Sequence, residues 1–199
     1  MLSVALCLVP GVTAEARRPA ICAKKAGTTL LATRDARVFK RDGQFYACLR
    51  RARRAFRLGG RGGDFGDDAI ANLALRGRFV AYSLHKSSGR TVRVKELRRG
   101  RMIHDVDAGR VGPFDFLTDI RLASNGAVAW IMTARPIDVP MNPNATPIDY
   151  LPFYEVRKAD RAGHTLLDGG RDITPGSLRL RGALIYWRKG GRIRGALLN

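Results

Sequence analysis

Leu73-Ala74-Leu75-Arg76-Gly77-Arg78-Phe79-Val80-Ala81-Tyr82 is a short apolar strand, a glycine turn and a second strand that ends on a large aromatic. The same pattern returns as Ile120-Arg121-Leu122 through Gly126 to Trp130, and as Leu178-Arg179-Leu180-Arg181-Gly182 to Trp187. A degraded copy, Ala36-Arg37-Val38-Phe39, stands near the front. The aromatic anchors Phe39, Tyr82, Trp130 and Trp187 are 43, 48 and 57 residues apart. A period of about 40–50 residues marks supersecondary units that stack because none buries its apolar face alone.

Each anchor is followed by a polar turn and an alternating segment: Phe45–Leu49, Thr91–Lys95 and Tyr154–Arg157. Alternation with period two is the pattern of a half-buried strand. A further short run then closes on glycine, at Phe56–Gly59, Ile103–Gly109 and Leu166–Gly169. Each unit therefore reads as four short antiparallel strands, the content of a propeller blade. No sustained 3.6-residue apolar stripe follows residue 26, so helices are expected to be scarce. The last unit holds three strands (178–181, 183–187 and 192–198), and residues Pro19–Ala23 are expected to supply its fourth. Prolines at 136, 140, 143, 147 and 152 forbid a ladder, so Pro136–Pro152 reads as an extended surface loop. The expected fold is all-β: a small propeller-like ring of about four blades built from antiparallel meanders. An irregular β-sandwich or barrel is the competing arrangement.

On Leu73–Tyr82, Ile120–Trp130, Leu178–Trp187 and the closing Arg188-Lys189-Gly190-Gly191, the chain resembles secreted bacterial propeller proteins with TolB-like and WD40-like repeats. The likeness covers about residues 28–199 and lacks the Gly-His and Trp-Asp pair of a WD40 blade. It implies a disc-shaped scaffold that binds other molecules, in a group that also includes enzymes.

There are 36 basic against 17 acidic residues, a formal charge of +19, and 29 of the cations are arginine. Arginine suits phosphate and carboxylate because its planar guanidinium donates in pairs. A coding bias toward Arg, Ala and Gly gives the same ratio. Residues 1–16 read as an incomplete secretory signal: Leu2–Val9 is apolar and small residues follow, but no Lys or Arg precedes Arg17. The run is shorter than the ~20 apolar residues of a membrane span. Residues 17–199 read as one domain, secreted or placed at the exterior of the cell envelope. Without the leader two cysteines remain, Cys22 and Cys48, and an even count in an exported chain points to a disulfide. It would staple the N-terminal strand to the first unit.

Basic residues recur at the turn between the third and fourth strands: Arg50, Arg51, Arg53, Arg54 and Arg57 in unit one, Arg98, Arg99 and Arg101 in unit two, Lys158 and Arg161 in unit three. If like turns share a face, they form a field that attracts polyanions. A solvated outer edge explains the same charges. Acids gather elsewhere, at Asp64, Asp67 and Asp68, at Asp115 and Asp119, and at Asp172. Placed on loops that converge at a common axis, Asp67, Asp68, Asp119 and Asp172 are candidate oxygen ligands for Ca²⁺. Turn capping by short carboxylates accounts for them without a metal, and no other cofactor is implied. The three histidines, His85, His104 and His164, read as one per unit and as polar surface groups.

No Gly-x-Ser-x-Gly elbow, His-Glu-x-x-His or phosphate-cradling Gly-Lys-Ser/Thr occurs. The favoured expectation is a non-enzymatic scaffold that binds at or outside the envelope, with an anionic polymer or protein as its partner. The alternatives are a propeller-type enzyme, such as a metal-assisted hydrolase or lactonase using the axial acids, and a piece of a longer propeller protein.

Overall fold

The structure, a computed structural model, describes Cys22 and residues 27–51, 54–59, 69–86, 89–109, 116–134 and 152–199. These residues form fifteen strands in four antiparallel sheets and contain no helix. The first sheet is β1 (Thr28–Ala32), β2 (Ala36–Arg41), β3 (Gln44–Leu49) and β4 (Ala55–Gly59), and the second is β5 (Ala69–Arg76), β6 (Phe79–Lys86), β7 (Gly89–Glu96) and β8 (Arg101–Asp107). The third is β9 (Leu117–Leu122), β10 (Val128–Ala134), β11 (Phe153–Asp160) and β12 (Gly163–Gly170), and the fourth is β13 (Arg179–Arg181), β14 (Leu184–Lys189) and β15 (Arg192–Leu197). Each strand pairs with its neighbour in the chain, so every sheet is a meander.

Turn chemistry sets these registers. Asp42-Gly43 joins β2 to β3 with φ of 50° and 77°, and Gly190-Gly191 joins β14 to β15 with φ of 53° and 75°. Two successive left-handed residues make the two-residue turn whose twist matches a right-twisted hairpin. The pairing of third with fourth strand carries a register shift in all three four-stranded sheets, at Phe45/Tyr46, Val94/Lys95 and Val156/Arg157. A bulge adds twist to the last strand pair of each of these sheets, though it falls at a different point along the strands in each.

The aromatic anchors all fall on second strands, and packing explains why. Successive side chains of a strand point to opposite faces. In β10, Val128, Trp130 and Met132 join Phe79, Ala81, Val92 and Val94 of the second sheet, while Ala129 and Ile131 join Ile185 and Trp187 of the fourth. In β6, Phe79 and Ala81 face the third sheet, and Val80, Tyr82 and Leu84 pack with Ala36, Val38 and Leu58 of the first. The sheets therefore stack face to face in chain order, and each anchor points back toward the sheet before it. Both tryptophans also donate backwards, Trp130 Nε1 to the Ala108 carbonyl and Trp187 Nε1 to Asp168 Oδ2, each at 2.9 Å. Phe39 points the same way, into a cluster with Cys22 and Cys48.

The Cys22–Cys48 disulfide is present, with its Cα atoms 6.0 Å apart. The sequence reading missed β1, because Thr28–Ala32 is mostly exposed and does not alternate. The fourth sheet has three strands among the described residues, with β13 and β15 at its edges. The proposed completing strand Pro19–Ala23 lies outside the described residues apart from Cys22, as do residues 1–16 and nearly all of the Pro136–Pro152 insertion.

Two carboxylates tie the sheets together. Asp160 accepts from Lys158 Nζ at 2.7 Å, the Ala162 amide at 2.9 Å and the Asn199 amide at 3.2 Å. Asp168 accepts from Lys189 Nζ at 2.7 Å and from the Trp187 indole. Burial pushes both carboxyls up, but their donors outweigh it and hold both below the usual carboxylate value. A folded-state value below the unfolded one contributes stability above about pH 4 that is lost as pH falls through the folded value. Asp160→Asn and Asp168→Asn are each expected to destabilise the protein at neutral pH and to flatten its loss of Tm between pH 7 and pH 3. Melting curves that stay parallel to the parent across that range would remove both residues from the acid response.

Candidate anion-binding site

The turn between β7 and β8 is built to project arginines. Leu97 is fully buried in the interface of the first and second sheets, and its amide donates to the Arg78 carbonyl at 2.8 Å. Gly100 closes the turn at φ 73°, its amide on the Glu96 carbonyl at 2.9 Å and its Cα against the Phe56 ring. A side chain there would meet that ring as well as a strained backbone, so the turn has one shape. With Leu97 plugged inward, Arg98, Arg99 and Arg101 stand exposed.

These three arginines line a cleft of about 410 Å³ with Arg78 from the β5–β6 turn, Arg161 from the β11–β12 turn and His104 from β8. Glu96, whose side chain is 9% exposed, pairs with Arg78 at 3.5 Å. Arg98, Arg99, Arg101 and Arg161 have no ion-pair partner among the described residues. Burial pushes the His104 imidazole down, against the pull of Asp160, so at neutral pH it brings hydrogen-bonding groups and no full charge. Unopposed guanidiniums in one concave site concentrate positive potential at a surface where anions are the matching ligands.

The structure thus brings together the basic turns of units two and three. Unit one contributes less. Arg51 lines an adjoining cavity of about 500 Å³ that shares Arg78, but Arg50 donates through Nε to the Thr33 carbonyl at 2.9 Å. Arg54 is exposed outside both cavities, and Arg53 lies outside the described residues. Lys158, grouped with Arg161 in sequence, is taken up by Asp160 and the Leu197 carbonyl. Arg78 was missed by the sequence reading. The signal was its position directly after the turn glycine, beside a neighbouring turn rich in arginine.

Among the acids, Asp119 is not on a loop. It lies inside β9 with its side chain 5% exposed, paired with Arg121 at 2.5 Å and accepting the Leu178 amide at 3.0 Å. Burial pushes this carboxyl up, opposed first by Arg121. Asp172 is exposed on the turn after β12. Asp67 and Asp68, with Asp64 and Asp115, lie outside the described residues, and no group of three or more His, Cys, Asp or Glu is placed to hold a metal ion among the described ones. The histidines are not one per unit: His85 in β6 and His104 in β8 share the second sheet, and His164 in β12 stacks on Trp130 at 5.3 Å. No helix among the described residues is long and apolar enough to cross a membrane.

No protein-family model matches the chain, and no curated protein matches it in sequence.

Proposed function

We propose that the chain is a non-enzymatic binding module for an anionic polymer at or outside the cell envelope, and that the cleft lined by Arg98, Arg99, Arg101 and Arg161 is where the polymer lies. The observation that carries this reading is four exposed guanidiniums, without acid partners among the described residues, lining one concave site contributed by two sheets. The scaffold is proposed to be a small propeller-like ring. Two features support that arrangement: the sheets stack in chain order with each anchor turned toward its predecessor, and the first strands of three sheets meet Thr33, just past the first strand of the other, at one cavity. On a ring, the turns after first and third strands lie on one face, which is where these arginines are found.

Retention of the protein on phosphocellulose, followed by salt elution, tests the reading. Replacing Arg98, Arg99 and Arg101 together by Ser is expected to lower the elution salt and to reduce the log–log salt slope by about three, one for each lost phosphate contact. Replacing Arg188, Arg192 and Arg194 of the fourth sheet by Ser removes the same charge elsewhere and is expected to change much less. Equal losses in the two variants would mean that net charge alone binds the resin, and the cleft reading would fall.

A further inference from the structure

We infer that a second cavity, shared by Thr33 and the first strands β5, β9 and β13, is a binding site for one compact oxyanion of the phosphate or carboxylate type, gripped by Arg76, Arg121 and Arg179. This site is separate from the basic cleft and rests on its own geometry. The cavity is about 430 Å³, and its lining includes one or more residues near the end of each of those strands. Arg76 ends β5, Arg121 is the last residue but one of β9, and Arg179 opens β13. Leu75, Ile120 and Leu180 line the same space. A partly apolar wall lowers the local dielectric and strengthens any charge interaction made beside it.

The three guanidiniums are not equivalent. Arg121 is fixed by Asp119 and by its own strand, Nη1 donating to the Ile120 carbonyl at 2.9 Å. Arg179 is fixed through Nη1 alone, which donates to the carbonyls of Gly176 at 2.8 Å and Leu178 at 2.9 Å. Its Nε and Nη2 have no acceptor among the described residues. The Arg76 side chain makes no hydrogen bond or ion pair among them. Asp119 pairs with Arg121 and acts on Arg179 through space, so one carboxylate offsets part of the charge of three guanidiniums, and no carboxylate stands among the residues that line the cavity. Two guanidiniums with open donor edges, carried by residues that line one cavity, can take oxygen atoms of a single anion in pairs. The bonds to backbone carbonyls hold Arg121 and Arg179 in place beforehand, so little side-chain freedom is lost on binding.

Thermal unfolding in inorganic phosphate, at an ionic strength held constant with chloride, tests the inference. Phosphate at about 100 times its dissociation constant is expected to raise Tm by about 6 °C, since a ligand that binds only the folded chain stabilises it by mass action. Arg76→Gln with Arg179→Gln is expected to abolish the shift, and the triple Ser variant at Arg98, Arg99 and Arg101 is expected to keep it. Arg121 is left intact, because its removal would strand the buried Asp119. A shift lost in the triple Ser variant and kept in the double Gln variant would place phosphate in the basic cleft and overturn the inference, while leaving the polymer reading standing. A shift kept in both variants would reduce the effect to solvent exclusion and overturn it too. If the double variant does not fold, Arg76→Gln alone must weaken the apparent phosphate affinity about tenfold, the loss expected for a charge-assisted bond. Unchanged affinity in that variant would also overturn the inference.

Discussion

Trp130→Ala is expected to destabilise the protein by about 4 kcal/mol, the range for deleting a large aromatic from a packed interior. Trp130 has no exposed surface and stands among Phe79, Val92, Val94 and Leu117, so its removal opens a cavity between the second and third sheets. The truncation also deletes the indole donor to the Ala108 carbonyl and the face on which His164 stacks. An unsatisfied buried carbonyl adds its own desolvation cost. In a chain of this length the change corresponds to a fall in Tm of about 10 °C. Trp130→Phe keeps most of the volume and is expected to lose about half as much. Chemical denaturation of the three proteins under one buffer checks the order. A loss below about 1 kcal/mol for the alanine variant would mean that the second and third sheets do not depend on each other for stability.

The second large effect is expected at the disulfide. Cys22 and Cys48 are 26 residues apart in sequence, and closing a loop of that size removes about 3 kcal/mol of unfolded-state entropy in the chain-entropy account. Reduction of the wild-type protein is expected to lower Tm by about 8 °C, and the paired change Cys22→Ala with Cys48→Ala to lower it equally and to abolish the response to reductant. Alanine is the right probe, because Cys48 is fully buried beside Phe39 and a serine hydroxyl there would add an unpaired polar group. If reductant leaves the melting midpoint of the wild type in place, the tether of the segment before β1 contributes nothing to global stability.

Strands were legible in the sequence wherever a tight glycine turn separated two apolar segments. Gly77, Gly182 and the pair Gly190-Gly191 mark hairpins that the structure contains, at nearly the expected residues. Where that punctuation was absent the reading failed: β1 has no buried alternation to announce it. The clustering of the unit-two arginines with Arg161 was partly legible, because turns in equivalent positions of repeated units become neighbours. The roles of single side chains were not. Arg50 and Lys158 belong to the same basic turns as Arg51 and Arg161, and only the three-dimensional course of the chain decides which of them finds a carbonyl or a carboxylate. Asp119 shows the same limit from the other side, since its burial depends on Arg121 two residues away and on the amide of Leu178, just before the fourth sheet begins.

The double-sided packing of β10 makes reading frame a property of stability in this protein. One extra residue near the start of that strand would carry the indole of Trp130 across to the side now filled by Ala129 and Ile131, and would send an alanine into the space the ring vacates. Both neighbouring sheets would be damaged at once, one overfilled and the other hollowed. Lengthening of the chain is therefore expected to be tolerated in the turns and selected against inside the second strand of every unit.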